Sequence, residues 1–152
     1  MFLLLAFSFS CIADEWGKRV VVAENLQPVS KIAKQNHLPV LMFFAAEDCE
    51  FCDSLEADYL GSMSKSEEYK EKIIIRKVMI DNYDDVYDFS GTQMSADELK
   101  EQFNVRVTPT LLFVDYKGQR LAKKIVGYNR SGLFGAYLDQ AIDEAKVKAQ
   151  KI

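Results

Sequence analysis

The feature that most constrains the fold is a pair of cysteines placed directly after an apolar run. Residues 40–46 follow Pro39 and have the length and composition of a buried strand. Cys49 and Cys52 come next, with two residues between them. The residues after them have helical spacing, with one apolar face formed by Leu55, Tyr59 and Leu60. The sequence therefore predicts that the cysteine pair lies where a strand passes into a helix.

This position favours chemistry at the first cysteine. A helix N-terminus presents unpaired backbone N–H groups and a partial positive charge, which stabilise a thiolate. Two thiols at this spacing can also close on one another with little movement of the backbone. The pattern indicates thiol–disulfide exchange, in which Cys49 attacks or is attacked and Cys52 resolves the mixed disulfide.

Length and charge restrict the alternatives. A chain of 152 residues that is 49% hydrophobic can bury one core, so one domain is expected. The formal net charge of -4 and a pI near 5.1 indicate no nucleic-acid partner, because no basic stripe is present to displace counterions from phosphates.

The N-terminal residues predict export. Residues 1–13 carry no charge and are followed by a polar sequence, which is typical of the apolar part of a signal peptide cleaved after Ala13. We therefore expect a signal peptide over 1–13 and one domain over 14–152. No basic residue precedes the run, so a buried N-terminal segment is an alternative. Lipidation of Cys11 is another, although Ser8 stands where such sites usually carry an aliphatic residue.

Cleavage after Ala13 would leave two cysteines in the chain, both in the pair. A structural disulfide normally joins distant segments, whereas these two thiols are three positions apart. The spacing therefore favours a redox role over a structural one.

The rest of the chain alternates helical and strand patterns. The predicted order is strand, helix, strand, helix, strand, helix, strand, strand, helix, with positions near 18–22, 25–36, 40–46, 49–60, 73–80, 95–103, 111–114, 119–126 and 131–147. Ser95 opens its helix with a capping-box pattern. We expect an α/β fold with a central mixed sheet of four to five strands and helices on both faces.

Two polar features are assigned structural roles. Residues 81–88 are acidic but lack the spacing of a calcium loop, so we predict a solvated loop. His37 lies at a helix-to-strand corner without nearby partners, so we predict a surface or capping residue.

The chain resembles the thioredoxin superfamily, and specifically secreted bacterial thioredoxin-like disulfide oxidoreductases. Residues 43–52 and 107–113 carry the resemblance. It implies a cis Thr108–Pro109 bond facing the cysteines, with both residues shaping a groove for an extended peptide. It also implies that Gly127 allows the substrate to approach.

The resemblance extends to partners and location. It implies protein thiols and disulfides as substrates, a periplasmic monomer, electrons from a membrane reductant, and neither a cofactor nor a metal. Phe51 would offer apolar contact beside the sulfurs.

The sequence differs from cytosolic thioredoxins at positions that affect the deprotonation of Cys52 and the direction of electron transfer. Phe43 stands where those proteins carry a buried acid, so Glu47 becomes a candidate proton shuttle, with a plain surface carboxylate as the alternative. Acidic residues near Cys49 oppose the effect of the helix terminus by a comparable amount. We therefore expect a modestly stabilised thiolate and a leaning toward reductase or isomerase activity.

Two other functions remain open from the sequence. The two thiolates could hold a soft ion such as Cu(I), although no third ligand is near in sequence. The fold could also serve as a redox-inactive interaction domain.

Overall fold

The computed structural model describes residues 20–82 and 84–152. The predicted signal peptide at 1–13, including Cys11, lies outside the described residues. Within them, no helix has both the length and the apolar character needed to cross a membrane.

The described chain is a mixed α/β structure. In chain order the elements are α1 Gln27–Asn36, β1 Val40–Ala45, α2 Glu50–Leu55, a π-helical segment Glu56–Leu60, α3 Gly61–Met63, α4 Glu67–Lys70, β2 Ile74–Met79, β3 Asp85–Tyr87, β4 Gln93–Ser95, α5 Ala96–Gln102, β5 Thr110–Val114, β6 Ile125–Val126 and α6 Phe134–Ala149.

The central sheet has four strands in the order β2-β1-β5-β6. β1 runs parallel to β2 and antiparallel to β5, and β6 returns antiparallel to β5. All six residues of β1 are buried, as expected for a strand covered on both faces. The predicted mixed sheet of four to five strands is confirmed, with four strands present among the described residues.

Alternation along β1 divides the core into two parts. Leu41, Phe43 and Ala45 pack with residues of α6 and of the helical segment after the cysteines, and we call this the α6 face. Val40, Met42 and Phe44 pack with residues of α1 and α5, and we call this the α1 face. Helices thus cover both faces of the sheet, as predicted.

Helix ends follow local sequence signals. Ser95 caps α5 with a complete capping box: its hydroxyl accepts from the Glu98 N–H, and the Glu98 carboxylate accepts from the Ser95 N–H. α1 ends at His37, which is exposed and adopts a left-handed conformation with φ of 50°. The capping role predicted for His37 is confirmed.

The helix after the cysteines changes its winding. The Gly61 N–H donates to the Glu56 carbonyl, five residues earlier, which defines the π-helical segment. Leu55 and Leu60 are five positions apart and both fully buried. The wider turn therefore keeps both leucines in the core.

The prediction of a first strand at 18–22 is wrong for the described residues. Val22 forms only an isolated parallel bridge to Lys77, beside β2. The Val20 N–H donates to the Glu56 side chain at 2.5 Å instead of to a strand neighbour. The segment therefore pairs with β2 at one position and does not form a strand.

The prediction of a solvated loop at 81–88 is also wrong in part, because Asp85–Tyr87 pairs with Gln93–Ser95 as a small hairpin. Asp88 closes its turn by accepting the N–H groups of Ser90 and Thr92, each at 2.8 Å. Burial raises the pKa of Asp88, but these hydrogen bonds outweigh it and lower the pKa overall. The acidic run thus contains a turn-closing carboxylate.

The predicted return strand at 119–126 is shorter than expected. Only Ile125–Val126 pairs regularly with β5, and Arg120 adds an isolated bridge to Val114. Between them, the Leu121 carbonyl accepts from Lys148 Nζ of α6 at 2.6 Å. The Lys148 side chain of α6 thus donates a hydrogen bond to the strand segment between the Arg120 bridge and β6.

Candidate active site

The two cysteines form a disulfide between the end of β1 and the start of α2. Their Cα atoms are 5.2 Å apart and the S–S distance is 2.08 Å. β1 ends at Ala45 and α2 begins at Glu50, so three residues separate the strand from Cys49. The predicted strand-to-helix junction is present.

Cys49 occupies the N-cap of α2. Its sulfur lies 3.2 Å from the Cys52 backbone N–H, which donates to it, and its carbonyl accepts from the N–H groups of Cys52 and Asp53. One donor at the beginning of the helix, the Cys52 N–H, therefore faces the Cys49 sulfur. Such donors stabilise a thiolate when the disulfide is reduced.

The two sulfurs have different environments. Cys49 is half-buried, whereas Cys52 is only 2% exposed and belongs to the core of the α6 face. A substrate can reach Cys49 but not Cys52. The geometry thus fits an outer nucleophile and an inner resolving thiol.

The carboxylates beside the cysteines face solvent. Glu47, Asp48, Glu50 and Asp53 are all exposed. The backbone N–H of Glu47 donates to Asp81 Oδ2 at 2.8 Å, which anchors the turn before Cys49. The proposed proton shuttle Glu47 is thus a surface residue, and its role stays a prediction.

Pro109 lies at the same end of the sheet as the cysteines. Thr110 pairs with Phe44, so the preceding residue, Pro109, comes beside Ala45 where β1 ends. The Thr108–Pro109 peptide bond is cis. The Gly127 N–H donates to the Pro109 carbonyl at 2.8 Å, and Gly127 has a positive φ of 77°. The fold therefore brings Thr108, Pro109 and Gly127 to the end of the sheet where the disulfide lies.

Apolar side chains are exposed around this end of the sheet. Phe51, between the cysteines, is 61% exposed, and Val107 and Val126 are each about half exposed. Val107 precedes the cis bond and Val126 precedes Gly127. Isolated exposed apolar residues are ordinary, but these three flank the disulfide and the Pro109 loop.

A polar cluster ties the loop before α6 to the active-site helix. The Tyr128 hydroxyl donates to Asp58 Oδ2 at 2.6 Å, and Arg130 lies 3.3 Å from the same oxygen. Arg130 also donates to Ser54 Oγ at 3.1 Å. Burial and the hydrogen bond to Asp58 raise the pKa of Tyr128 to about 12.

Sequence reasoning missed a buried ion pair. Glu56 is 7% exposed, and its carboxylate binds the Lys77 ammonium of β2 and the Val20 N–H. Two signals could have revealed it. Glu56 lies four positions after Cys52, on the inward side of the helix, and Arg76 and Lys77 interrupt an otherwise apolar strand.

Among residues 20–82 and 84–152, no three His, Cys, Asp or Glu residues are grouped so that they could hold a metal ion. Within that part of the chain, the two cysteines are the thiolate ligands that would be available to a soft ion such as Cu(I).

Known proteins resemble the chain in sequence and fold. The disulfide bond reductase DsbH of Chlamydia pneumoniae is 28% identical over 138 residues, covering 86% of this chain and 79% of that protein. Mitochondrial thioredoxin 3 of Saccharomyces cerevisiae has a TM-score of 0.55 at 19% identity, covering 82% of this chain and 94% of its own. Thioredoxin O2 of Arabidopsis thaliana has a TM-score of 0.54 at 20% identity, covering 85% and 99%. These two structures establish the fold.

A family model described as a thioredoxin-like domain matches residues 26–142, which is most of the chain. The matched region contains both cysteines and the Pro109 loop. The chain therefore belongs to the family of thioredoxin-like domains, and its Cys49–Cys52 pair is that of a thiol–disulfide oxidoreductase.

Proposed function

We propose that the protein is a reductase of protein disulfides that works outside the cytoplasm, with Cys49 as the nucleophile and Cys52 as the resolving thiol. The observation that carries the assignment of roles is the contrast between the half-buried Cys49 at a helix N-cap and the buried Cys52. The similarity to a disulfide bond reductase supports the direction of electron transfer, from this protein to its substrate.

The reaction runs in two exchanges. In the reduced protein, the Cys49 thiolate attacks one sulfur of the substrate disulfide, forms a mixed disulfide and releases the first substrate thiolate. The Cys52 thiolate then attacks the Cys49 sulfur and releases the second. The substrate gains two electrons and two protons, and the protein is left with the Cys49–Cys52 disulfide seen in the structure. A dithiol reductant must then restore the thiols, and we propose that a membrane protein supplies it.

The charges around Cys49 support a reducing role. Donors at the start of α2 favour the thiolate, while the exposed carboxylates of Glu47, Asp48, Glu50 and Asp53 oppose it. Reduced forms with a strongly stabilised thiolate are characteristic of oxidants. A moderately stabilised thiolate therefore supports electron donation to substrates.

The substrate groove is proposed from the residues at the end of the sheet. Thr108 is half-buried beside the cis bond and can offer backbone groups to an extended peptide. Phe51 supplies exposed apolar surface next to the sulfurs. Gly127 has no atoms within 4 Å of the position that a Cβ would occupy, so the space beside Pro109 is open to a peptide.

Location is part of the proposal. An apolar run at residues 1–13 supports export, and we propose a periplasmic protein that acts as a monomer. Fractionation of cells that produce the full chain tests this. Recovery of the protein in the cytoplasmic fraction at its full mass would contradict it.

Insulin reduction tests the function. With dithiothreitol as electron source, the protein should accelerate the reduction of insulin disulfides, and Cys49→Ser should lower the rate to that of dithiothreitol alone. Cys52→Ser should accumulate a mixed disulfide with the substrate, because the resolving thiol is gone. Ser62→Ala, which changes an exposed hydroxyl in α3, is a matched control that should keep the wild-type rate. An unaccelerated reaction with the wild type would reject the proposal.

The reduction potential tests the direction of electron transfer separately. Equilibration with glutathione should place the Cys49–Cys52 pair near thioredoxin, at about -270 mV. A value near that of DsbA, about -120 mV, would assign the protein as an oxidant.

A further inference from the structure

We propose that Asp58 is a positioning residue for the binding of protein substrates: its carboxylate fixes residues 127–130, which border the groove, against the helix that follows the cysteines. The inference rests on the proposed function, because it concerns the groove beside the disulfide. It adds a residue that acts through Tyr128 and Gly127 instead of at the sulfurs.

Residues 127–130 connect the two sides of the groove. On one side, the Gly127 N–H donates to the Pro109 carbonyl at 2.8 Å, next to the cis bond. On the other side, the hydroxyl of the next residue, Tyr128, donates to Asp58 Oδ2 at 2.6 Å. Consecutive Cα atoms are about 3.8 Å apart, so these two hydrogen bonds hold neighbouring residues. The position of Gly127 therefore depends on the Pro109 loop and on the helix together.

The helix presents two polar side chains to this segment. Ser54 and Asp58 are four positions apart, a spacing at which helical residues lie side by side. Arg130 contacts both: its Nε lies 3.3 Å from Asp58 Oδ2, and its second guanidinium nitrogen donates to Ser54 Oγ at 3.1 Å. Ser54 comes two residues after Cys52. Three contacts thus join residues 127–130 to the helix that carries the disulfide.

The two contacts of the Asp58 carboxylate differ in strength. Tyr128 is only 8% exposed, and a buried hydroxyl that donates to a carboxylate makes a strong hydrogen bond. The Arg130 side chain is 72% exposed, and ion pairs so open to solvent contribute little. The bond from Tyr128 is therefore the main anchor, and Asp58 is the acceptor that both residues share.

Aromatic packing buries the Tyr128 ring without fixing it. The ring centroid lies 4.7 Å from that of Phe134 and 6.2 Å from that of Tyr59. Apolar contacts of this kind have little directionality, whereas the hydrogen bond to Asp58 sets the distance between the ring and the helix. Gly127 has no side chain, and no atom lies within 4 Å of its Cβ position. Side-chain packing therefore does not hold Gly127 in place.

An ordered segment should improve substrate binding. When only a fraction of molecules has the binding conformation, the apparent dissociation constant rises by the inverse of that fraction. A segment that must become ordered on binding also costs affinity. Loss of the anchor should therefore weaken binding of an extended peptide. The contacts that surround the Cys49 sulfur do not include Asp58, so the exchange chemistry itself should be unaffected.

Steady-state reduction of insulin with excess dithiothreitol separates binding from chemistry. We expect Asp58→Ala to raise the KM for insulin about 10-fold and to keep the wild-type kcat, as when about one molecule in ten retains the binding conformation. Its rate with hydroxyethyl disulfide, which is too small to span the groove, and its reduction potential should match the wild type. An unchanged KM for insulin, or equal slowing with insulin and hydroxyethyl disulfide, would overturn the proposal.

Hydrogen exchange at the Gly127 amide reports the position of the segment directly. This N–H is bound to the Pro109 carbonyl, so it should exchange about 10-fold faster in Asp58→Ala, because the segment opens more often. A raised KM with unchanged exchange would show that Asp58 contacts the substrate itself and would overturn the positioning role.

Two milder variants test the anchor. Asp58→Asn keeps an oxygen that can accept the Tyr128 hydroxyl and should restore most of the affinity lost in Asp58→Ala. Equal KM values in these two variants would contradict the anchor. Tyr128→Phe keeps the ring and removes the hydroxyl, and should raise the KM for insulin about threefold. If Asp58→Ala fails to fold, Tyr128→Phe decides: a raised KM with faster Gly127 exchange supports the proposal, and an unchanged KM overturns it.

The chain offers a matched control in a second tyrosine–aspartate pair. The Tyr69 hydroxyl donates to Asp139 Oδ1 at 2.7 Å and joins α4 to α6. Tyr69 lies where β2 begins, because its carbonyl accepts from the Ile73 N–H, and β1 and β2 are parallel. This pair is therefore at the end of the sheet opposite the cysteines. Tyr69→Phe and Asp139→Ala should keep the wild-type KM for insulin, and a rise equal to that of Asp58→Ala would indicate general loosening and overturn the proposal.

The wild type separates failure of this role from failure of the proposed function. A wild type that does not accelerate insulin reduction would reject the proposed function, and with it the role of Asp58. A wild type that reduces insulin while Asp58→Ala keeps the same KM would reject only the role of Asp58.

Discussion

The two faces of the central sheet differ in chemistry, and the larger core cluster lies on the α6 face. The cluster on the α1 face, around Val40, Met42 and Phe44, is composed of apolar residues. The α6 face also has a large apolar core, but it contains Cys52, and the Glu56–Lys77 pair lies at its edge. The α6 face thus combines apolar packing with a redox-active sulfur and an ion pair, whereas the cluster on the α1 face is apolar.

The site also lies at one end of the α6 face. Cys49 and Pro109 stand where β1 ends and β5 begins, and the apolar layer below them holds the helix and strands in place. The comparison therefore predicts that changes on the α1 face alter stability alone, whereas changes on the α6 face alter stability and redox chemistry together.

The largest effect is expected from truncating adjacent leucines of β5. Leu111 lies on the α6 face and Leu112 on the α1 face, and each is 1% exposed. Each change to alanine should lower the free energy of unfolding by about 2–5 kcal/mol, measured in urea. Leu112→Ala should keep the wild-type reduction potential, while Leu111→Ala, beside Phe43, should shift it. Equal shifts of the reduction potential in both variants would contradict the distinction between the two faces.

A smaller loss of stability is expected from removing one charge of the pair. Lys77→Met leaves Glu56 buried without its partner and should cost about 2–3 kcal/mol, less than for a fully buried pair because the Lys77 side chain is 13% exposed. The double variant Glu56→Leu/Lys77→Met should recover most of that loss, because no lone charge remains. Urea unfolding of the single and double variants measures both. A double variant that is no more stable than Lys77→Met would show that the pair holds the fold together.

The loop before α6 gives a prediction with a pH signature. Tyr128→Phe removes the hydrogen bond to Asp58 and should cost about 1 kcal/mol at neutral pH. The folded pKa of Tyr128 is about 12, above its ordinary value of 10.0, so its contribution is complete below pH 10 and is lost as pH rises toward 12. Urea unfolding from pH 8 to pH 11 should show the wild type and the variant converging. A constant difference would contradict this.

The smallest effect is expected at a helix cap near the α1 face. Ser95→Ala removes the capping box of α5 and should lower the free energy of unfolding by about 1 kcal/mol. Because α5 packs on the α1 face, the rate of insulin reduction should be unchanged. A change in that rate would show that the two faces are coupled.

Local signals made much of the fold predictable. The apolar strand before Cys49, the capping box at Ser95 and the end of α1 before Pro39 each depend on a few neighbouring residues, and each is present. The contrast between Cys49 and Cys52 followed from their order at a helix start. These features need no knowledge of distant contacts.

Features that depend on distant partners were missed. Asp85–Tyr87 forms a strand only because Gln93–Ser95 lies opposite, and its acidic composition resembles that of a loop. The pairing of Glu56 with Lys77 joins residues 21 positions apart, so it becomes visible only when the helix after the cysteines is placed on β2. Glu47 was singled out because it is near Cys49 in sequence, although its side chain is exposed.

The π-helical segment Glu56–Leu60 has a consequence for variation in chain length. A π-turn is equivalent to one residue inserted into an α-helix, and here the inserted residue is accommodated between the buried Leu55 and Leu60. Deletion of the exposed Ala57 would restore ordinary α-helical spacing between these leucines and leave Cys49 and Cys52 untouched. Homologues that are one residue shorter at this point would therefore differ in the winding of the helix while keeping the same pair of sulfurs at its beginning.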